Sequence, residues 1–465
     1  MLDMMRIIRK LVAVVLIAAT VLCMISCKKK ASEFPQVPPP STSETSEVTE
    51  VTETSADPEI TKLIVALPYE ASTVNYLFKL YYAKNNGYWN PDYSGLTVDL
   101  GYLESINVPI SFESVYVPDD GVSSVTLTNW GSTRPDIFLV NDLEEAVNSG
   151  YCADISDAMS DSMLLTSDKF YVGSITCLYK DGALYGVPHY CSIPLIYGNE
   201  DFAPEGKSLN FRCTLNELKD YISAIKDLEY EDVAVFARGY QLIPYITSAK
   251  NDNGIVNSYM LESEYKTDKD LSQSKLDNVI AMVGEFYDDG TFVNSNPDDS
   301  DPVFSRNCAM WIASSSDLSL WSNYYPGKLY YAQIPTFEYN DKSIPYLTVY
   351  PLCVSSTSKN IDLASDFAAF ISIDTDALLL IDRLEDKVGY LPVVTSPNVW
   401  DIKIADETFG YIASVYENEM DNAVYCPKVI NNDLYDLIEL KLSDCYNIDE
   451  EEELYELNLA DIYGN

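Results

Sequence analysis

Short apolar segments alternate with helical ones from residue 62 onward, and this alternation limits the fold more than any other feature. Residues 62–68 and 135–140 predict buried strands, because each is a short apolar run bounded by turn residues. Between them, residues 72–84 place apolar side chains at helical spacing. Strands and helices in this order predict an α/β fold in which helices cover both faces of a sheet.

The same alternation continues over the rest of the chain. Residues 214–217, Thr-Leu-Asn-Glu, form a capping box that predicts a helix from 215 to 225. Residues 307–312 predict a buried strand and residues 360–371 an amphipathic helix, whereas the chain from Ile404 onward is interpreted as helical and acidic. A chain of 465 residues has room for two or more domains, or for two large lobes.

The first residues have the order of an export signal. Basic residues precede an apolar run from Leu11 to Ile25, and Ser26 precedes Cys27. The run has about 15 residues, fewer than the roughly 20 that cross a bilayer. Residues 1–26 resemble a bacterial lipoprotein signal, which implies cleavage before Cys27 and lipidation of its thiol. An uncleaved anchor helix is the alternative, and both place the rest of the chain outside the cytoplasmic membrane.

A polar segment separates Cys27 from the globular part. Residues 27–60 contain three lysines, a cluster of prolines and a long run of Ser, Thr and Glu. Such a segment cannot bury a core, and its like charges extend it. We expect a disordered tether that holds the protein at the outer face of the bacterial cytoplasmic membrane.

Charge and residue counts exclude several functions. With 30 basic and 72 acidic residues the formal net charge is −42, which disfavours nucleic acid and anionic lipid as partners. His189 is the single histidine, and this excludes histidine-rich metal sites and most triads unless His189 is the base. The sequence has no CxxC motif. We therefore expect no metal, no cofactor and no catalytic residue, and mostly free, buried thiols among the eight cysteines after Cys27.

Six segments carry a family resemblance through their order. They are 135–138, 184–188 with 195–202, 214–218, 304–310, 358–367 and 389–393. In this order they resemble the extracellular solute-binding proteins of ABC importers, and most of all the carbohydrate-binding family that includes the maltose-binding protein. The resemblance implies two α/β lobes joined by crossover strands, the first near residues 188–192 and the second near residues 345–351, with a hinge and a ligand cleft between the lobes.

The resemblance also implies a division of the chain. Lobe one comprises 61–188 and 352–395, and lobe two comprises 192–344 and 396–465. The implied protein is a lipid-anchored, monomeric receptor that captures a small solute, expected to be an oligosaccharide. It delivers the solute to the membrane subunits of an ABC transporter and touches the membrane only through its lipid.

Two other functions stay open at this point. A surface glycoside hydrolase needs only paired carboxylates and no histidine. A sensor or adhesin of the same fold would bind without serving a transporter. Ser316 and Gly198 also depart from the family pattern, since aromatic residues are usual at both places, and this leaves the class of ligand open.

Several candidate site residues follow from the rule that ligands bind beyond the carboxyl ends of strands in an open α/β sheet. His189, Tyr190, Tyr346 and Tyr350 are candidates because they lie at the two crossovers that the resemblance implies. Aromatic faces cover the apolar faces of a sugar, and Asn, Asp, Glu and Ser bind its hydroxyls. Glu70 and Asp142 have alternative roles at helix starts, and Trp311 is more typical of a core residue. The candidates are Tyr69, Glu70, Asn141, Asp142, His189, Tyr190, Tyr240, Ser315, Ser316, Trp321, Tyr346 and Tyr350.

Overall fold

The structure is a computed structural model, and it describes most of the chain after residue 61. The described ranges are 62–90, 98–109, 111–160, 169–237, 239–242, 249–250, 256–257, 273–274, 277, 284–286, 290–293, 301–335, 346–385 and 387–427. The predicted signal, Cys27 and the tether lie outside these ranges. Among the described residues, no helix has the length and apolarity needed to cross a bilayer.

The first of two large sheets has seven strands. Its main path runs β15-β6-β14-β3-β1-β2, and β16 pairs with β14. β1 is parallel to β2 and β3, whereas β14 is antiparallel to β3 and β6. The strands are β1 (Lys62–Leu67), β2 (Ser111–Tyr116), β3 (Ile137–Leu139), β6 (Val187–Ser192), β14 (Tyr346–Val354), β15 (Leu391–Pro392) and β16 (Val424–Pro427).

Helices bury their apolar stripes against this sheet. In α1 (Ala71–Asn85) the buried residues include Val74, Leu77, Phe78 and Tyr81, at the spacing of one helix face. The ring of Phe78 stacks on Phe112 of β2 at 4.7 Å and on Phe367 at 3.9 Å. The layer of helix on sheet that the periodicity predicted is therefore confirmed.

The second sheet has five strands, in the order β11-β8-β12-β7-β13. β12 is parallel to β8 and antiparallel to β7. Its strands are β7 (Pro194–Asn199), β8 (Ala234–Ala237), β11 (Phe292–Val293), β12 (Cys308–Ser314) and β13 (Leu329–Gln333). The predicted capping box is confirmed, since Thr214 and Glu217 satisfy each other's backbone N–H groups at the start of the helix Leu215–Lys226.

The other described elements have between two and thirteen residues. The α-helices after α1 whose two ends are both described are α2 (Leu100–Ser105), α3 (Ser124–Trp130), α4 (Leu143–Asn148), α5 (Ser156–Ser160), α6 (Val172–Thr176), α7 (Leu215–Lys226), α8 (Leu318–Tyr324), α9 (Ile361–Ile373), α10 (Thr375–Leu384), α11 (Pro397–Ala405) and α12 (Gly410–Glu417). Two small hairpins complete the strands, β4 (Tyr179–Lys180) with β5 (Ala183–Leu184), and β9 (Ala249–Lys250) with β10 (Val256–Asn257).

The two sheets are linked at the end of β6. Only Ile193 separates β6 of the first sheet from β7 of the second, close to the predicted crossover at residues 188–192. The second predicted crossover, at 345–351, falls largely within β14 of the first sheet, and residues 336–345 lie outside the described ranges.

The C-terminal part differs from the helical expectation. α11 and α12 are helices, but Val424–Pro427 is a strand that pairs in parallel with β14. Val424 and Tyr425 are of the residue types that favour strands. The assignment of 396–465 to lobe two stays a prediction, although β16 places part of that segment in the first sheet.

The expectation of free thiols is confirmed for the described cysteines. The free thiols are Cys152, Cys177, Cys191, Cys213, Cys308 and Cys353, and all are buried except Cys177, which is partly exposed. Cys445 and the side chain of Cys426 lie outside the described residues.

Candidate functional site

Three tyrosines form a compact aromatic cluster where the two sheets meet. Tyr190 of β6 and Tyr350 of β14 are direct partners across an antiparallel pair, and Pro392 of β15 pairs with Tyr190 on its other side. This pairing also brings Tyr390 to the cluster. The ring centroids of Tyr190 lie 5.1 Å from Tyr350 and 4.4 Å from Tyr390, within the range of favourable aromatic contacts.

A chain of serine hydroxyls connects this cluster to the second sheet. The hydroxyls of Tyr350 and Ser192 are 3.0 Å apart. Ser314, the last residue of β12, donates to the Ser192 hydroxyl at 2.9 Å, and Ser316 donates to the Ser314 hydroxyl at 2.7 Å. Hydroxyls from both sheets therefore converge beside aromatic rings. We call the cluster of Tyr190, Tyr350 and Tyr390 with Ser192, Ser314 and Ser316 the junction site.

Ser315 fastens the two sheets together next to the junction site. Its backbone N–H donates to the carbonyl of Ile193 at 2.7 Å, and its hydroxyl accepts from the Ile193 N–H at 3.1 Å. The same hydroxyl donates to the carbonyl of Gly389 at 2.6 Å. Because Ser315 is fully buried and all these bonds are used, its role is to join the β6–β7 crossover to the loop before β15.

His189 lies on the first-sheet side of the junction site, between two hydroxyls. Its Nε2 is hydrogen-bonded to the Tyr69 hydroxyl, and its Nδ1 lies 3.0 Å from the Ser372 hydroxyl. Burial, assisted by the charge of Lys387, lowers the pKa of His189 to about 3. The imidazole is therefore neutral at physiological pH, with one nitrogen as donor and the other as acceptor. It connects Tyr69 to the ring of Tyr190, whose centroid is 5.0 Å away.

Asp119 and Lys387 form an ion pair beside the same rings. Lys387 donates to the carboxylate of Asp119, and the Tyr190 hydroxyl donates to the Asp119 carbonyl at 2.9 Å. The lysine side chain is 7% exposed and the aspartate side chain 46% exposed. The ion pair therefore presents a carboxylate to solvent while its ammonium stays buried.

Contacts connect five of the predicted site residues, and a sixth, Ser315, lies beside them. The contacts run from Tyr69 through His189 and Tyr190 to Tyr350, and the serine hydroxyls then connect Tyr350 to Ser316. Ser315 lies next to this path through its bond to Gly389. These residues come from distant parts of the sequence, and the pairing of β6 with β14 and the end of β12 place them side by side.

Four other candidates lie apart from these contacts or outside the described side chains. Asp142 caps α4 by accepting from the Glu145 N–H at 2.6 Å, so its interpretation as a helix cap is confirmed. The Asn141 N–H donates to the Val122 carbonyl, and the side chain is partly exposed. Tyr240 lies in a 3₁₀ turn and Tyr346 begins β14, but their side chains lie outside the described part of the chain.

Glu70 lies at the start of α1 and is exposed. Its backbone N–H donates to the Glu385 carboxylate at 3.0 Å, and its side chain makes no capping bond. The Glu70 carboxylate therefore faces solvent near the first-sheet side of the junction site.

Trp321 occupies the core of the second sheet rather than a cleft wall. It is 2% exposed and packs against Trp311, at 5.5 Å between ring centroids. Trp311 is fully buried, as expected for a core residue. The ring of Trp321 contacts Phe304, Trp311 and Tyr324 and not the tyrosines of the junction site, and this argues against the stacking role that its sequence position suggested. Spacing alone does not distinguish the buried face of α8 from an exposed one.

Several residues of this site are missed by the sequence reasoning. Asp119 lies in the Pro-Asp-Asp-Gly turn after β2, and the strand-end rule applied to that turn would have found it. Tyr390 belongs to the segment 389–393, which carried the family resemblance. No sequence signal indicated Lys387, because only the tertiary fold brings it to Asp119.

The chemistry of the junction site suits binding. It offers aromatic rings and hydroxyls, and the neighbouring Asp119 adds a partly exposed carboxylate. The neighbouring His189 is neutral and hydrogen-bonded on both nitrogens. Among the described residues, no group of three or more His, Cys, Asp or Glu side chains is placed to hold a metal ion.

Comparison with known proteins identifies a protein family whose model matches this chain. The family model described as "Bacterial extracellular solute-binding protein" matches residues 105–398, more than half of the chain. No curated protein matches the chain in sequence.

Solved structures match over nearly their whole length. The GacH receptor of Streptomyces glaucescens, solved unliganded and with acarbose, has a TM-score of 0.59 at 16% identity, covering 87% of this chain and 98% of its own. An ABC substrate-binding protein of Listeria monocytogenes in complex with cycloalternan has a TM-score of 0.61 at 14% identity, covering 87% and 100%.

A third match was solved with a solute of another class. The UgpB protein of Mycobacterium tuberculosis, in complex with glycerophosphocholine, has a TM-score of 0.58 at 13% identity, covering 86% of this chain and 95% of its own. These likenesses confirm the two-lobed α/β fold. Because these distant matches were solved with different ligands, they do not identify the solute that this chain binds.

Proposed function

Because the chain belongs to the bacterial extracellular solute-binding protein family, we propose that it captures an oligosaccharide at the junction site and delivers it to an ABC transporter. In this proposal the protein is a receptor and performs no chemistry on its solute. The solute lies between the two sheets, and a hinge at the β6–β7 crossover closes the lobes around it.

The observation that carries the proposal is the convergence of Tyr190, Tyr350 and Tyr390 with serine hydroxyls from both sheets. A pyranose has apolar C–H faces and a rim of hydroxyls. Aromatic rings bind the former, and serine hydroxyls and carboxylates bind the latter. A buried hydroxyl without a partner costs about 1–3 kcal/mol, so a site of this kind discriminates between sugars by the hydroxyls it satisfies.

The transport role is supported by the order of features along the chain. A signal with Cys27 at its end and a polar tether of residues 28–60 precede the solute-binding part. A lipid on Cys27 would keep the receptor at the outer face of the cytoplasmic membrane. Tethering raises the effective concentration of a receptor at its membrane partner, which favours delivery of the solute. The partner in this proposal is the membrane part of the importer, formed by its membrane subunits.

A thermal-shift screen tests the class of solute. The full chain is mixed with neutral oligosaccharides, monosaccharides, amino acids and short peptides, and its unfolding temperature is recorded. The proposal expects a rise with at least one oligosaccharide, because a ligand that binds only the folded state stabilises it. A rise with peptides or amino acids alone would contradict it.

A second assay distinguishes a receptor from a glycoside hydrolase. The oligosaccharide that stabilises the protein is incubated with it, and reducing ends are measured over time. We expect no release above a buffer control. Sustained release by the pure protein would identify an enzyme instead.

A further inference from the structure

We infer that Asp119 selects solutes by charge, so that the protein accepts neutral or positively charged solutes and rejects anionic ones. The inference rests on the proposed function in one respect only, the location of the solute at the junction site. It adds a residue that determines specificity and names the chemical class that this residue excludes.

Asp119 is held rigidly at the junction site by two contacts. The Tyr190 hydroxyl donates to its backbone carbonyl at 2.9 Å, and Lys387 binds its carboxylate. Tyr190 is itself part of the aromatic cluster. A solute that contacts these rings therefore comes within reach of a carboxylate whose position is already fixed, which reduces the entropy lost on binding.

The counter-ion of Asp119 is not accessible to a solute. The Lys387 side chain is 7% exposed, and its ammonium lies 5.4 Å from the ring centroid of Tyr69 and 5.6 Å from that of Tyr390. The backbone is fixed as well, since Lys403 donates to the Lys387 carbonyl at 2.6 Å. An anionic solute would therefore meet the exposed carboxylate and not the lysine.

Further carboxylates lie on the same side of the molecule. Tyr116 ends β2 and is 64% exposed. Its pKa is raised, first by partial burial and then by the negative charges of Asp119, Glu385 and Glu70. The Glu70 N–H donates to the Glu385 carboxylate, so these two residues are neighbours. Like charges at an approach surface suppress the wrong partners and favour the right ones.

The test uses the full chain and solutes that differ only in charge. Calorimetry measures the binding of neutral, amine-bearing and uronate oligosaccharides of equal length, and of neutral, cationic and anionic dipeptides. Three proteins are compared, the wild type, Asp119→Asn and Asp120→Asn. Asp120 is a matched control, because it is exposed and lies in the same turn.

The wild type is expected to bind only neutral or cationic solutes. Asp119→Asn is expected to gain affinity for the anionic form of the bound solute by roughly tenfold or more relative to the neutral form, since it removes a charge at contact distance. Asp120→Asn is expected to change this ratio much less.

Two results would overturn the inference. One is tight binding of an anionic solute by the wild type. The other is an equal change in Asp119→Asn and Asp120→Asn, which would indicate an effect of net charge alone. The proposed function fails separately. If the bound solute is a dipeptide, the oligosaccharide proposal is wrong, and the same charge ratio still decides the role of Asp119.

Discussion

Gly389 packs so closely against Ser315 that a Cβ atom at position 389 would lie 1.7 Å from the Ser315 carbonyl oxygen. Ser315 follows the last residue of β12 in the second sheet, whereas Gly389 belongs to the loop before β15 of the first. The Ser315 hydroxyl also donates to the Gly389 carbonyl. This contact holds the two sheets together beside the tyrosine cluster, and only glycine permits it.

Gly389→Ala is expected to destabilise the protein by about 1–3 kcal/mol, because the added methyl group has to push the two backbones apart. Denaturant unfolding measures the change in free energy. Gly101→Ala is the control, since its Cβ would approach only the Asp99 carboxylate at 3.3 Å and alanine favours the helix in which it lies. Equal stability of the two variants would contradict the proposed packing.

His189 predicts a loss of stability in mild acid. Its pKa is about 3 in the folded protein, against 6.5 as its ordinary value. Between these values the unfolded chain binds a proton that the folded protein does not bind, so stability falls as the pH drops below 6.5. At pH 5 this contribution is about 2 kcal/mol relative to pH 8.

Denaturant unfolding of the wild type and His189→Gln at pH 8 and pH 5 measures the contribution of His189 to this loss of stability. Other groups titrate in both proteins, so the difference between their losses isolates the histidine. The variant is expected to lose about 2 kcal/mol less than the wild type over this interval. Identical losses would show that His189 is not buried in its neutral form.

The buried thiols are expected to resist alkylation. Burial raises the pKa of Cys213 to about 12 and raises the pKa of Cys191 further. The thiolate is the reactive species, so both side chains are inert in the folded protein at pH 8. A thiol reagent should modify Cys213 and Cys191 only after denaturant is added, as peptide mass spectrometry would record. Rapid modification of either in the native protein would contradict the described burial.

Cys27→Ala tests the proposed anchor. The variant is expected to bind its solute with unchanged affinity, because residue 27 precedes the whole solute-binding part. It should leave the membrane fraction for the medium and reduce solute uptake by cells, since the effective concentration at the transporter falls. Fractionation and uptake assays measure the two effects. Uptake equal to that of the wild type would show that the anchor does not serve delivery.

The periodicity of the sequence was sufficient to predict most of the longer strands of both sheets and helices such as α1 and α7. Strands such as β1 and β12 are short apolar runs, and α1 and α7 show one buried face, so local pattern and fold agree. β16 was missed because its four residues follow a segment with a helical pattern. They form a strand through their pairing with β14. Its strand residues were too few to outweigh that context.

The site was predictable only in part, for a physical reason. Tyr190 and Tyr350 lie within β6 and β14, and they were predicted because the family resemblance implies crossovers at those segments. Lys387 and Tyr390 reach the junction site through the loop before β15, whose position is set by the Gly389–Ser315 contact. Trp321 was a plausible aromatic wall, but α8 turns it into the core. The direction of a side chain on a short helix depends on packing that the sequence pattern does not contain.

Calorimetry on Tyr350→Leu and Tyr416→Leu tests the central claim most directly. Both tyrosines are buried, but Tyr350 belongs to the junction site, whereas Tyr416 of α12 packs near Phe211. The titrant is the oligosaccharide that stabilises the wild type. We expect Tyr350→Leu to lose at least tenfold in affinity through the missing aromatic contact, and Tyr416→Leu to bind like the wild type. Unchanged affinity in Tyr350→Leu would contradict capture of the solute at the junction site.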